Sequence, residues 1–490
     1  MHAAIVPAVQ FGIVTLSLAA CVAMALRWVY FKTVYYKTKS GKPIPEYPGP
    51  SRFPLPWAVS YLKKPVPSRV YKVPFWHPWN LHSRIVITHP DVARELFSKC
   101  SPHLLRRRDF GMSWILDELL GECLFAKNGK DWKRMLKGFR LGFLPNAVKS
   151  KTDFVSKYCL EWAAKCIKPG AEIDVEKLME VPFDVVAIIT YGHSVVPFLQ
   201  ELRDFCEEMD SLTMAVFNDR WKAPSLCRHF PSKLLLRIRT FKLNWSSFNK
   251  KMFPACKKDK GCILGDLLRG RESNKYVISD EELDATLNEI VLANADFVAA
   301  AVMWPLVHLR KSNSNYDLVL QESKIFYQSQ FSTENSHSPL SANEGYDALR
   351  RTEMCIKESW RLEPMMIMTN PIITPNDISL DGYLLPKGSQ ICFDTKAINR
   401  NKEYWEESNK FLPERHEGKT TDRYALHVFG LDTRRCLGQH HAWLICKIMV
   451  AVIIGTCEYD VVQNPGPAGY GPFEFPPYKL IVKNSREYHK

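Results

Sequence analysis

The sequence has no Cys-x-x-Cys pair and no regular cysteine framework, although fourteen of its 490 residues are cysteine. That scatter argues against a disulfide-stapled scaffold and for reduced thiols facing the cytosol. Zinc-ligand spacing, RNP-like motifs and basic repeats are also missing. A net charge of +14 and a pI of about 9.0 leave nucleic acid as a competing reading, but no such motif supports it. They fit an anionic membrane surface or an acidic protein instead. No internal repeat is visible. No Lys or Arg precedes the first apolar run, and within Ala3–Leu26 the only strongly polar side chain is Gln10.

About 20 apolar residues suffice to cross a bilayer. Arg27, Lys32, Lys37, Lys39 and Lys42 lie just beyond the run, so the positive-inside rule places the bulk of the chain in the cytosol. A cleaved signal peptide, ending near Ala23-Met24-Ala25, would need a basic start and a shorter apolar core of about 7–15 residues. Residues 1–30 are thus expected to form a single-pass anchor, and the sequon Asn244-Trp245-Ser246 to stay unmodified. Residues 31–55 are basic and proline-rich; Pro43, Pro45, Pro48 and Pro50 favour a stiff extended connector. Residues 56–490 form the remaining body. With 46% hydrophobic and 12% aromatic residues, it can bury a large core.

Within that body, Ser83–Thr88 alternates as a strand and Pro90–Ser98 reads as a helix, predicting a small sheet against a helix. Residues 129–310 are predominantly helical. Ser279, with Glu282 three residues on, predicts a capping box. The apolar run Leu287–Trp304 predicts a long helix, kinked near its end by Pro305. Residues 329–345, rich in Ser and Asn, predict a surface loop. Ile378–Leu380, Tyr383–Leu385 and Gln390–Phe393 alternate as short strands, with Pro386-Lys387-Gly388 as a turn.

The chemistry concentrates in Phe429-Gly430-Leu431-Asp432-Thr433-Arg434-Arg435-Cys436-Leu437-Gly438. A lone cysteine stands beside two arginines, followed by the mostly apolar helical run Ala442–Ile454. An anionic sulfur ligand needs nearby positive charge and the N–H groups of a helix N-terminus, and this stretch can supply both. For the other thirteen cysteines the plain reading is a small buried hydrophobe. Upstream, Glu358-Ser359-Trp360-Arg361 sets a carboxylate and a guanidinium at i and i+3 of a helix. As a solvated pair it would contribute almost nothing. Phe411-Leu412-Pro413-Glu414-Arg415 follows. Ala293-Asn294-Ala295-Asp296 puts an acid into an apolar helix, costly unless solvated or paired.

Taken in order, these four stretches resemble the motifs of the cytochrome P450 family. Phe429, Arg434, Cys436 and Gly438 match its cysteine loop, Glu358 and Arg361 its Glu-x-x-Arg pair, and Arg415 the arginine that completes a structural triad with them. The resemblance implies one mainly α domain with small β-sheets in the cytochrome P450 (haem-thiolate) fold, preceded by the transmembrane helix. It implies haem b, with Cys436 as the iron ligand that favours O–O cleavage, and Arg434 and Trp132 toward the propionates. Asp296 is the acid expected to pass protons during oxygen activation. The sequence departs from the pattern at Asp432, where glycine is usual, and at Leu136, where arginine is common and Arg134 or Lys137 would have to substitute. Pro371 stands at another arginine position, and Phe297 replaces the threonine that normally follows the acid.

By the same resemblance, the substrate pocket is expected to take Trp114 and the residues to Leu120, then Asn294, Phe297, Val298, Met365, Met366 and Met368. The flexible methionines favour a lipophilic or aromatic substrate, or else are ordinary core. Phe393–Asn399 resembles fungal members of secondary metabolism. The implied function is an endoplasmic-reticulum-anchored monooxygenase, with catalytic domain facing the cytosol, fed by NADPH through NADPH–cytochrome P450 reductase. Its basic helix face (Lys133, Arg134, Lys137, Arg140) would dock the reductase or simply be solvated. The missing threonine keeps a haem-thiolate isomerase, dehydratase or oxidative cyclase open as an alternative. A non-catalytic haem-binding membrane protein is a third.

Overall fold

In the computed structural model the described residues are 22, 35–46, 68–73, 84–100, 104–106, 114–218, 232–292, 295–331, 341–418, 421–464 and 475–486. The expected anchor, apart from Val22, lies outside them. The principal helices are Pro90–Cys100 (α1), Trp114–Leu120 (α2), Gly129–Phe139 (α3), Thr152–Cys166 (α4), Val175–Tyr191 (α5), Leu199–Asn218 (α6) and Lys233–Lys258 (α7). They continue with Ile263–Glu272 (α8), Asp280–Val291 (α9), Ala295–Arg310 (α10), Asn313–Phe331 (α11), Ala342–Ala348 (α12), Arg350–Leu362 (α13) and Gln439–Thr456 (α14). The strands are Val70–Val73 (β1), Arg84–Ile87 (β2), Leu105–Arg106 (β3), Glu172–Ile173 (β4), Ile372–Ile373 (β5), Ile378–Leu380 (β6), Tyr383–Leu385 (β7), Gln390–Phe393 (β8), Cys457–Gln463 (β9) and Tyr478–Ser485 (β10).

Helix α14 is buried on every side from Leu444 to Gly455. A helix apolar all round belongs in an interior, and α14 packs against α4, α10, α11 and α13. Helix α10 lies against α5 and α13. The Asp280–Arg310 and Gln439–Thr456 stretches are long and apolar enough to cross a membrane, but 75% and 72% of their apolar windows are buried within the protein. They serve as core.

The sheets are small. The largest runs β1-β2-β8-β5-β3, with β1–β2 antiparallel and β2–β8 parallel from Arg84↔Gln390 to Ile87↔Phe393. β4-β10-β9 forms a second sheet and β6-β7 a hairpin. All three short strands expected between Ile378 and Phe393 form at those bounds. The capping box forms too: Glu282 N–H donates to Ser279 Oγ at 3.1 Å, and Ser279 N–H to Glu282 Oε2 at 3.0 Å.

Pro305 lies inside α10, near its end, and the helix runs on to Arg310. Two expectations need correcting. The expected loop over 329–345 is helical at both ends: α11 reaches Phe331, and Ser341 with Glu344 forms a second capping box that starts α12. The serine read there as loop is a helix start. Residues 35–46 are also more than a connector. Tyr36 and Ile44 are buried; Tyr36 N–H donates to Leu384 O at 2.8 Å and Lys72 N–H to the Pro45 carbonyl at 2.8 Å. Proline lacks a donor but its carbonyl still accepts, so a proline-rich strip can line a sheet edge.

Burial holds His308, His427 and His441 neutral, each pushed down to about 4, and neither ring nitrogen of His427 finds a partner. Unfolded, they titrate near 6.5, so between those values the unfolded chain binds more protons. Stability should therefore fall as pH drops from about 6.5 to about 4, with up to about 1.4 kcal/mol lost per histidine per pKa unit. Urea midpoints at pH 7 and pH 5 test this; equal midpoints would contradict it.

Candidate active site around the cysteine loop

The site begins with a carboxylate that has no access to water. Glu358 and Arg361 are each 0% exposed, which rules out the solvated surface pair. Arg361 donates from Nε to Glu358 Oε2 at 2.9 Å and from Nη2 to Oε1 at 2.8 Å. Its Nη1 reaches the carbonyls of Asn399 and Ser408 at 2.8 and 2.7 Å. Arg415 Nε donates to Glu358 Oε1 at 3.0 Å, as does Leu412 N–H at 3.1 Å. Burial alone would raise the Glu358 pKa, but the hydrogen bonds of Arg361 and His416 reverse that and hold it at about 2. His416, whose Nε2 lies 2.9 Å from Glu358 Oε2, is a member that sequence reading missed. Burial lowers its own pKa, so it donates as a neutral imidazole. The cluster locks α13 to the segments 399–410 and 412–416, upstream of the cysteine loop.

That loop closes on itself. Cys436 N–H donates to the Phe429 carbonyl at 2.8 Å and Arg435 N–H to Asp432 O at 3.2 Å. Asp432 sits at φ +58°, a left-handed conformation that glycine adopts freely and aspartate tolerates better than most. This explains why its place favours glycine. Gly438 is the N-cap of α14, 3.9 Å from the Cys436 sulfur when given a Cβ. Among the twelve described cysteines, Cys436 alone is exposed. Yet crowding by protein still pushes its thiol up, against the Gly438 N–H and the charges of Arg106 and Arg435. An open sulfur that is also desolvated faces a concavity. A coordinating metal would deprotonate it outright.

Beside it lie two half-buried arginines. Arg434 donates to the carbonyls of Lys127 and Phe125, both at 2.8 Å, and its guanidinium rests 4.6 Å from the Trp132 ring centroid. Arg106 Nη2 donates to Arg434 O at 3.1 Å, while its Nε is buried without a partner. Burial brings each guanidinium down to about 10, still cationic at neutral pH. An orphaned donor, two cations, an indole and an open sulfur suit a planar, dianionic, iron-bearing macrocycle, so the residues present fit haem. Arg106, and not Arg134 or Lys137, is the cation that stands beside Arg434. Arg134 is bonded to Glu282 at 2.5 and 3.0 Å, and Lys137 is exposed, as are Lys133 and Arg140. Only the run Arg106-Arg107-Arg108 hinted at Arg106.

The other expected residues scatter. Asp296 accepts from Phe297 N–H at 2.8 Å, capping its own helix. Phe297 is half-buried, its ring 6.3 Å from that of Phe475, and Val298 packs on the main core. Asn294 and the Trp114 side chain lie outside the described residues. Met365 lies against the main core and Met366 is half-buried. Met368 is buried with Tyr71, Val86 and Cys392 in the sheet's own cluster. Sequence reading missed Asp210 on α6. It is exposed, yet surrounding protein, with Asp296 and Glu207, pushes its pKa up to about 7. One turn earlier the Cys206 thiol donates to Leu292 O at 3.4 Å, seating this face of α6 beside the end of α9. A groove of about 740 Å³ between α6 and α7 contains none of the expected pocket residues.

Helices around a buried charge cluster, with one cysteine presented to a cationic concavity, define a haem-thiolate protein. The cytochrome P450 family model matches residues 69–482. The P450DA haem domain superposes with a TM-score of 0.69 at 16% identity, covering 91% of this chain and 98% of that one. Similar curated proteins include the cytochrome P450 monooxygenases verC of Clonostachys rogersoniana (25% identical; 82% of this chain, 79% of the relative) and gliC of Aspergillus fumigatus (27%; 79% and 76%). Another is PUL2 of Kluyveromyces lactis (26%; 78% of each). The chain belongs to the cytochrome P450 family, and is an enzyme of its monooxygenase class.

Replacing Glu358 with alanine strands Arg361 as a buried charge, a loss of about 3–5 kcal/mol. E358A and R361A should yield protein that retains no haem, read by absorbance after purification. A normal haem spectrum in either variant would contradict this role.

Proposed function

We propose that this enzyme is an endoplasmic-reticulum-anchored haem-thiolate monooxygenase that oxidises a lipophilic or aromatic metabolite, in secondary metabolism. Its electrons come from NADPH through NADPH–cytochrome P450 reductase. The observation that carries this reading is the exposed Cys436 beside two half-buried arginines. Cys436 ligates haem b, which when bound supplies the oxygen-activating chemistry. Arg434, Arg106 and Trp132 receive the propionates; Phe429 and Gly438 hold the loop. The apolar run 3–26 anchors the chain, and exposed Lys133, Lys137 and Arg140 face the acidic reductase. Asp296 and Asp210 manage protons: with Asp210 titrating near neutrality, the pair can keep a proton at hand where the family's threonine hydroxyl is replaced by Phe297.

The same replacement favours a second reading, an isomerase, dehydratase or oxidative cyclase that needs no hydroxyl relay. Asp296 already engaged with its own helix supports it. Dependence of turnover on reductase and NADPH separates the two.

Reduced protein exposed to carbon monoxide should show the band of thiolate-bound haem, and Cys436→Ala should lose it. A band that survives the substitution removes the ligand assignment. For the proton route, Asp210→Asn should raise the peroxide released per product several-fold and Phe297→Thr should lower it. If neither ratio moves, the acid pair has no part in proton delivery.

A further inference from the structure

Glu289, on α9, has no place in the motifs above, yet the cationic side of the cysteine loop converges on it through one residue. Phe125 N–H donates to Glu289 Oε2 at 3.1 Å, the Phe125 carbonyl accepts from Arg434 Nη2 at 2.8 Å, and the Phe125 ring lies 4.4 Å beneath the Arg106 guanidinium. One residue earlier, Leu124 N–H donates to Thr286 Oγ1 at 3.1 Å, one turn before Glu289 on the same helix face. Three residues later, the Asn128 side chain pairs with both backbone groups of Arg106, at 2.8 and 2.9 Å. The turn 124–128 is thus strapped between α9, β3 and the cysteine loop.

Charge makes the arrangement consequential. Two guanidiniums this close, both shielded from water, repel one another, and each Arg106 charge felt at Arg434 disfavours the other. The carboxylate of Glu289 opposes both. Burial, the strongest influence, leaves its own pKa raised, although the Phe125 N–H, the Cys123 thiol and the two arginines pull the other way and favour the anion. The same anion is felt at Cys436, where it disfavours negative charge on the sulfur.

We propose that Glu289 is a positioning residue of the haem site: its carboxylate fastens Phe125 and balances the half-buried Arg106–Arg434 pair, holding both cations beside the cysteine loop and setting a negative charge against the Cys436 sulfur. The inference rests on the haem-thiolate reading of Cys436. A buried anion at this position disfavours the reduced sulfur–iron centre, which carries one more negative charge than the oxidised one. Removing the anion eases reduction.

Three variants of the full-length holoenzyme separate charge from support. Glu289→Gln keeps an oxygen for the Phe125 N–H but loses the charge; it should retain haem and show a reduction potential more positive than wild type. Glu289→Asp keeps the charge and should stay nearer wild type. Glu289→Ala loses both and should release haem to apomyoglobin several-fold faster. A Glu289→Gln potential equal to wild type, beside a normal wild-type carbon monoxide band, overturns the role of Glu289 alone. Wild-type protein without that band overturns this inference together with the function it rests on.

Discussion

The carboxylate of Glu358 is the constraint on which the haem side of the molecule depends. Taking a carboxylate and a guanidinium out of water costs several kcal/mol each, recovered only if geometry and hydrogen bonding are nearly complete. Here Arg361, Arg415, His416 and the Leu412 N–H all converge on it, and the remaining Arg361 donors reach backbone carbonyls far along the chain. Such a cluster has one good arrangement and many poor ones. It therefore fixes where α13 stands relative to the chain entering residues 421–438, which apolar packing alone, being non-directional, would leave less defined.

From that anchor the site is an exercise in charge compensation at short range. Cys436 must become anionic to bind iron, yet its surroundings push the thiol up. The counterweights are the Gly438 N–H at the start of α14, Arg435 on the loop, and Arg106 arriving from β3. Arg434 gives two of its five donors to the Phe125 and Lys127 carbonyls and lays its plane on Trp132. The fork geometry of guanidinium makes this possible. One arginine secures the turn, and the other keeps a buried Nε with no protein acceptor.

Local features were legible in the sequence and tertiary ones were not. The strands between Ile378 and Phe393 and the Ser279–Glu282 box depend on neighbours within a few residues, and both form as read. Glu358 and Arg361 were recognisable because their partnership is one helical turn. Arg106 and Glu289 were hidden because what defines them is 183 positions apart in sequence and joined only through Phe125. Glu289, read along α9, looks like any polar residue of an amphipathic helix. Residues 35–46 misled because four prolines within residues 43–50 signal a stiff extended strip equally well whether it hangs free or lies along a sheet. Asp432 shows the converse: its departure from glycine was visible, but only the backbone angle shows what it demands of the residue.

The start of α10 is where these physical requirements bear on chemistry. A threonine hydroxyl after the acid would offer both a donor and an acceptor to water; Phe297 offers neither, and its ring turns toward Phe475 from the segment before β10. Asp296 meanwhile spends one oxygen on the Phe297 N–H. On the proposed reading protons would come by way of Asp296 and Asp210, whose pKa is raised first by burial and then by the neighbouring carboxylates. The substitution that removes the usual relay hydroxyl thus puts an apolar ring at the same turn of helix.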